Sequence, residues 1–206
     1  MKSILFFLVP MLIFVGCSTS KVKTYADPTL TTGNIKSVAL FPLRNSFAQT
    51  TASLSTGDIM EINKMFQSEF INKNPNAKIL NAVESRDLLN DKNLVSDYDK
   101  LLEVFDNTGI PDTRNLQNIG SQLNVDAIAQ GFLVRVVQND GQYGKINGET
   151  TIKVKYVMFS TKDGSILWEV IADGSKVKST LAKAPEVSEV IEILRKKLAN
   201  SVPKLM

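Results

Sequence analysis

The chain has 206 residues, a near-neutral charge balance of 24 basic to 21 acidic side chains, no histidine and one cysteine. A single domain with a real core, or at most a small pair, fits this length. The charge gives no reason to expect nucleic acid as a partner. Structural disulfides, Cys/His zinc sites, histidine-dependent triads and a cysteine nucleophile acting beside a histidine are excluded by the residue counts, and no cofactor is expected.

The first seventeen residues, MKSILFFLVPMLIFVGC, set the location. Lys2 precedes an apolar run from Ile4 to Val15, then Gly16 and Cys17. An export signal has this order: a positive start, roughly 7–15 apolar residues and a small residue before the cut. A membrane-spanning helix needs about 20 apolar residues, and Ser18-Thr19-Ser20-Lys21 end the run too early. Phe14-Val15-Gly16-Cys17 resembles the bacterial lipoprotein box, with Phe14 where leucine is usual. That resemblance implies cleavage before Cys17, diacylation of its thiol and N-acylation of the new terminus. Stable anchoring takes more than one chain, at about 0.8 kcal/mol for each buried methylene. Ser18, in place of aspartate, resembles the outer-membrane-directed members. Residues 1–16 are therefore expected to be a signal, and 206 less 16 leaves 190 in the mature chain.

Residues 17–34 read as a lipidated flexible tether, polar and broken by Pro28 and Gly33. Tyr25 and Leu30 leave open an extended arm packed on a neighbouring subunit. Ser37–Phe41, stopped by Pro42, reads as a buried strand, followed by a polar loop from Arg44 to Gly57. Ser55 and Asp58 then form a capping box for a helix carrying Ile59, Ile62, Phe66 and Phe70, which Pro75 ends. Lys78–Leu80 is a short strand, and Asn81 with Glu84 caps a helix carrying Val83 and Leu88. Ser96 with Asp99 is a further capping box, before Tyr98, Leu101, Leu102 and Phe105 at helical spacing. Gly109 closes that helix, and Asp112 or Thr113 caps the next, with Leu116, Ile119, Gly120 and Leu123 on one face.

From Asp126 the period changes to two. Ala127–Val137, Thr150–Phe159 and Ser165–Ile171 predict a three-strand antiparallel meander with one face buried, Asp163-Gly164 making its second turn. Ile152, Val154, Tyr156 and Met158 point one way, Lys153 and Lys155 the other. A helix starting near Pro185 closes the chain, with Val187, Val190, Ile191, Leu194 and Leu198 on one face. The expected fold class is α/β (α+β): a mixed sheet with a C-terminal meander, packed by several helices, in one domain over residues 35–206.

Asp97, Asp99, Glu103 and Asp106 are the densest acidic group. A carboxylate pair can serve glycan hydrolysis, yet these positions oppose Leu101, Leu102 and Phe105, so a solvated helix face explains them. Arg135, Lys153 and Lys155 would form a basic patch if the strands pair as expected. Trp168 reads as core. With Arg44 and Phe47 from the polar loop, Arg135, Lys153 and Lys155 make up the candidate interaction surface; no residue is assigned to catalysis or metal binding.

The order of elements, with Leu123-Asn124-Val125-Asp126-Ala127-Ile128 and Ser160–Trp168 as its motifs, resembles the envelope lipoproteins related to the curli secretion channel CsgG and the penicillin-binding-protein activator LpoB. The resemblance covers about residues 35–200 and implies helices against a mixed sheet used for protein contacts. Two roles follow as expectations. One is a non-catalytic binding or assembly factor, anchored through Cys17 to the outer membrane and facing a periplasmic or outer-membrane partner. The other is a secretion-channel subunit assembled from copies of the chain.

Overall fold

The computed structural model describes residues 22–28, 30, 35–50, 52–143, 146–180 and 182–205, with the side chains of 46–50 left aside. The signal, Cys17 and the side chain of Phe47 lie outside the described residues.

Six strands, β1 (Lys23–Ala26), β2 (Ser37–Thr50), β3 (Lys78–Leu80), β4 (Ala127–Asn139), β5 (Glu149–Ser160) and β6 (Ile166–Val177), form one sheet in the order β1-β6-β5-β4-β2-β3. β2 pairs in parallel with both β3 and β4, while β4, β5, β6 and β1 are successively antiparallel. The expected mixed sheet and meander are thus present. Five helices flank it: α1 (Thr56–Lys73), α2 (Ala82–Asp91), α3 (Val95–Thr108), α4 (Thr113–Leu123) and α5 (Val187–Ser201).

Alternation in the strands sends side chains to both faces, and each face has its own apolar cluster. Val154, Tyr156, Met158, Trp168 and Val170 pack with Phe66 and Phe70 of α1 and Leu194 and Leu198 of α5. Ile128, Phe132, Val157 and Phe159 pack with Leu101, Leu102 and Phe105 of α3 and Leu116 and Ile119 of α4. The meander was expected to bury one face. Around the starts of β2 and β4 it buries both, because α2, α3 and α4 cover the second face there. Towards Asn139, Glu149 and Val177, hereafter the far end, that second face carries Arg135, Lys153, Asp173 and Ser175, none of them buried.

Local signals account for most helix boundaries. Both parts of the capping boxes at Ser55/Asp58 and Asn81/Glu84 form, satisfying backbone amides that a helix start leaves without partners. Asp112 caps α4 through Arg114 and Asn115 amides. Gly109 ends α3 with φ 71°, a left-handed conformation that glycine adopts without steric cost. Gly120 sits where a Cβ would lie 2.3 Å from Thr161 Cβ, so α4 lies against the β5–β6 turn at a distance only glycine allows. Trp168 is fully buried and donates to Ser201 O at 3.1 Å.

Four expectations need correction. β2 does not stop at Pro42: it runs to Thr50 along β4, with a register shift between Phe41 and Arg44. Proline lacks a ladder donor and is tolerated at a bulge. Here Gln130 Nε2 donates to Pro42 O at 2.9 Å and Leu43 N donates to Asn63 Oδ1 at 2.7 Å, so side chains replace the interrupted ladder. The first half of the expected Arg44–Gly57 loop is therefore strand. α3 begins at Val95 without a side-chain cap, so the Ser96/Asp99 box does not form; Asn93, at φ 56°, turns the chain directly from α2 into α3. Val83 is 61% exposed, and α2 buries Ser85 and Leu89 instead. Lastly, the stretch expected as a tether contributes a strand: Lys23–Ala26 pair with Trp168–Ile171, and Leu30 is buried in the first cluster.

Candidate functional surface

Strand register decides which of the candidate cations meet. Arg44 of β2 stands beside Phe132 of β4, which stands beside Lys155 of β5. Arg135 stands opposite Lys153, and Lys153 opposite Asp173. The shift between Leu133 and Arg135 is what turns Arg135 to the open face, since a bulge re-aims the side chains beyond it.

Their surroundings separate these cations into two groups. Lys155 Nζ lies 2.8 Å from Glu169 Oε2 and 5.3 Å from the Phe105 ring centroid. Arg44 lies 3.9 Å from Asp99 across the gap to α3. Lys155 thus links β5 to β6 beneath Phe105 of α3, and Arg44 has an acidic neighbour on α3. Arg135 and Lys153 make no ion pair among the described residues, and Asp173 has Lys197 of α5 at 3.6 Å, whose ammonium donates to the Asp173 backbone carbonyl. The free positive charge on this face is therefore the Arg135–Lys153 pair.

The acidic group spreads along α3. Asp97 accepts from Asn118 Nδ2 at 2.7 Å and Asp99 faces Arg44. Burial pushes the Asp106 carboxyl pKa up from its ordinary value, with Arg44 and Lys155 opposing the shift. Beneath, Tyr98 stacks on Phe41 at 4.5 Å and donates to Gln130 Oε1; burial pushes its hydroxyl pKa up. Tyr98 thereby packs α3 over β2 and β4, with Asp99 and Asp106 near Arg44 and Asp97 turned to α4. Among the described residues no group of three or more acidic, cysteine or histidine side chains is placed to hold a metal ion.

Sequence reasoning missed two features. The first is the pair of open strand edges. β3 covers β2 only at Ser37–Ala39, and β1 covers β6 only at Trp168–Ile171. Beyond those residues each strand keeps its inner neighbour, but its outer edge continues towards the far end with no strand partner among the described elements. The period-two pattern of β2 and β6 marks their faces, not their edges. The second is a groove of about 530 Å³ at the other end, where Tyr25 of β1, Ile110, Pro111 and Ile166 meet Glu169. It exists only because β1 docks, so a local reading of either segment would not find it.

No helix among the described residues is long and apolar enough to cross a membrane. No protein-family model matches the chain, and no curated protein matches it. Among solved structures, the chain is similar to the PelC dodecamer from Paraburkholderia phytofirmans, at 12% identity over 91% of this chain and 99% of that one, TM-score 0.48. It is also similar to lipoprotein GNA1162 from Neisseria meningitidis, at 15% identity over 80% of this chain and 99% of that one, TM-score 0.42. The C-terminal domain of LpoB from Salmonella enterica is a third, at 10% identity over 75% of this chain and 87% of that one, TM-score 0.39.

Proposed function

We propose that the protein is a lipid-anchored envelope factor that works by binding, with Cys17 as the acylated residue and the open far half of the sheet as the binding surface. The anchor rests on Phe14-Val15-Gly16-Cys17 behind an apolar run of export length. Binding rests on one observation above all: the unpaired Arg135–Lys153 charges lie between two strand edges that have no strand neighbour among the described elements. An exposed edge offers backbone donors and acceptors to an incoming strand, and the cations favour an acidic segment. On this reading the partner is an envelope protein with an extended acidic stretch, met on the periplasmic side of the outer membrane.

The open edges also support a second reading, assembly of copies of the chain. The exposed parts of β2 and β6 run in the same direction on opposite sides of the sheet. An interface joining one copy's β2 to the next copy's β6 would be head-to-tail, and such interfaces close into rings or grow into filaments. A channel subunit would use this arrangement.

In-cell crosslinking at position 175, on the same open face, tests the first reading, with the Cys17→Ser and Arg135→Glu/Lys153→Glu variants compared with the parent. Cys17→Ser should leave the protein unlipidated and free of the membrane fraction. The charge reversals should remove the captured partner while membrane attachment persists. Membrane partitioning of Cys17→Ser equal to the parent's would overturn the anchor. Undiminished capture after charge reversal would overturn the assigned surface.

A further inference from the structure

We infer that the far end of the sheet is a second membrane contact, with Tyr143, Ile146 and Val177 resting in the bilayer interface beside the anchor. The inference rests on the acylation of Cys17 proposed above and adds the orientation of the domain on the lipid surface.

These three residues are exposed by 82%, 47% and 54%, and all lie at one end of the molecule. They are held on a built platform. Gln142 N donates to Ile146 O at 2.7 Å, Gly141 N to Ala182 O at 2.9 Å, and Lys178 N to Gly148 O at 2.7 Å. Asp140 accepts from Ala184 N at 2.8 Å. The β4–β5 connection and the segment after β6 are thus tied together, and the apolar side chains project from their junction. Lys183, exposed and without an ion pair among the described residues, adds a cation at the same end. Lys176 and Lys178 there are matched by Glu189, and Glu149 and Glu186 add negative charge. The apolar residues, not net charge, are therefore the basis of the contact. Tyrosine suits such a place because its ring is apolar and its hydroxyl stays wet.

Chain direction selects the lipid surface as the occupant. β1 is antiparallel to β6, with Lys23 opposite Ile171, so the chain enters β1 from the far end. Cys17 lies six positions before Lys23, a reach of about 20 Å when extended. Val177 lies six residues beyond Ile171 along β6, also about 20 Å. An extended segment thus brings Cys17 level with Val177. The opposite end, where β6 leaves the Asp163-Gly164 turn at Ile166, lies five strand residues back from Ile171, roughly 17 Å away. Reversing towards it would use about four residues in a turn and leave too little chain. A bilayer that holds an acylated Cys17 therefore meets the far end of the sheet.

The full-length lipidated protein tests this in vesicles of phosphatidylethanolamine and phosphatidylglycerol. With Cys17 acylated, a Ser179→Cys substitution supplies the one free thiol for a polarity-sensitive dye, and Val83→Cys supplies a control on α2. Dye at 179 should shift to apolar emission and be quenched by spin-labelled lipid roughly threefold more than dye at 83. Adding Tyr143→Ser and Ile146→Ser should remove most of that difference with acylation intact by mass. Water-like emission at 179 on an acylated protein overturns the orientation and leaves the anchor standing. A shift at 179 that appears only on adding envelope proteins overturns it in favour of a protein contact. An unmodified mass at Cys17 overturns the anchor and the orientation together.

Discussion

Tyr156 and Gly120 show how close packing and polar satisfaction diverge at single positions. The Tyr156 ring stacks on Phe66 at 3.7 Å, and burial pushes its hydroxyl pKa up. That hydroxyl has no hydrogen-bond partner among the described residues. A buried polar atom without a partner carries its desolvation penalty uncompensated, so Tyr156→Phe should leave stability unchanged or raise it by about 1 kcal/mol. Urea unfolding checks this; a loss above that size would mean the hydroxyl has a partner in solution. Gly120→Ala acts in the opposite sense. Its methyl would overlap Thr161, whose Oγ1 donates to Val125 O and Asp126 O. Overpacking of this kind costs about 1–3 kcal/mol, and pairing it with Thr161→Ala should recover only part of the loss, because the two carbonyl contacts go with the hydroxyl.

At the scale of elements, Asn74 ties together pieces far apart in sequence. It is 2% exposed, donates to Phe70 O and Pro203 O at 3.0 Å, and accepts from Leu205 N at 2.6 Å. Three backbone groups, at the end of α1 and in the C-terminal segment, depend on it. Asn74→Ala should cost about 2–3 kcal/mol by leaving buried partners unsatisfied, and limited proteolysis should then trim the segment after α5 first.

Elements whose ends are written in neighbouring residues were legible in the sequence. Ser55/Asp58, Asn81/Glu84 and Gly109 mark helix termini by bonds or backbone angles made within a turn. Pro42 misled because it stops a ladder only where no side chain replaces its bond, and Gln130 and Asn63 come from elsewhere in the chain. β1 was illegible for a related reason. Four exposed residues carry no period, and their strand conformation comes from the β6 edge beside them.

For the whole molecule, the proposed anchor rests on a local motif of four residues, whereas the proposed binding surface depends on register. Nothing in the sequence separates Arg135 and Lys153 from Arg44 and Lys155; the fold does, by setting Glu169 and Asp99 beside the latter two. Purified protein in mild detergent should run as a monomer or dimer if the open edges await a different partner. A ring of many copies, measured by light scattering, would favour the head-to-tail assembly instead.

The unequal cover of the sheet has a consequence for its breathing. Near the starts of β2 and β4 the strands lie between helices on both faces, and opening there must expose two apolar clusters at once. Towards Val177 and Thr50 only α1 and α5 remain, and each outer strand has one bonded neighbour. Amide hydrogen exchange should therefore quicken along each long strand towards the far end, as local opening free energy falls with contact density. The end assigned to binding is then also the end with most freedom to adjust. A bound strand or lipid surface would register first as slowed exchange there, before any change in the global melting point.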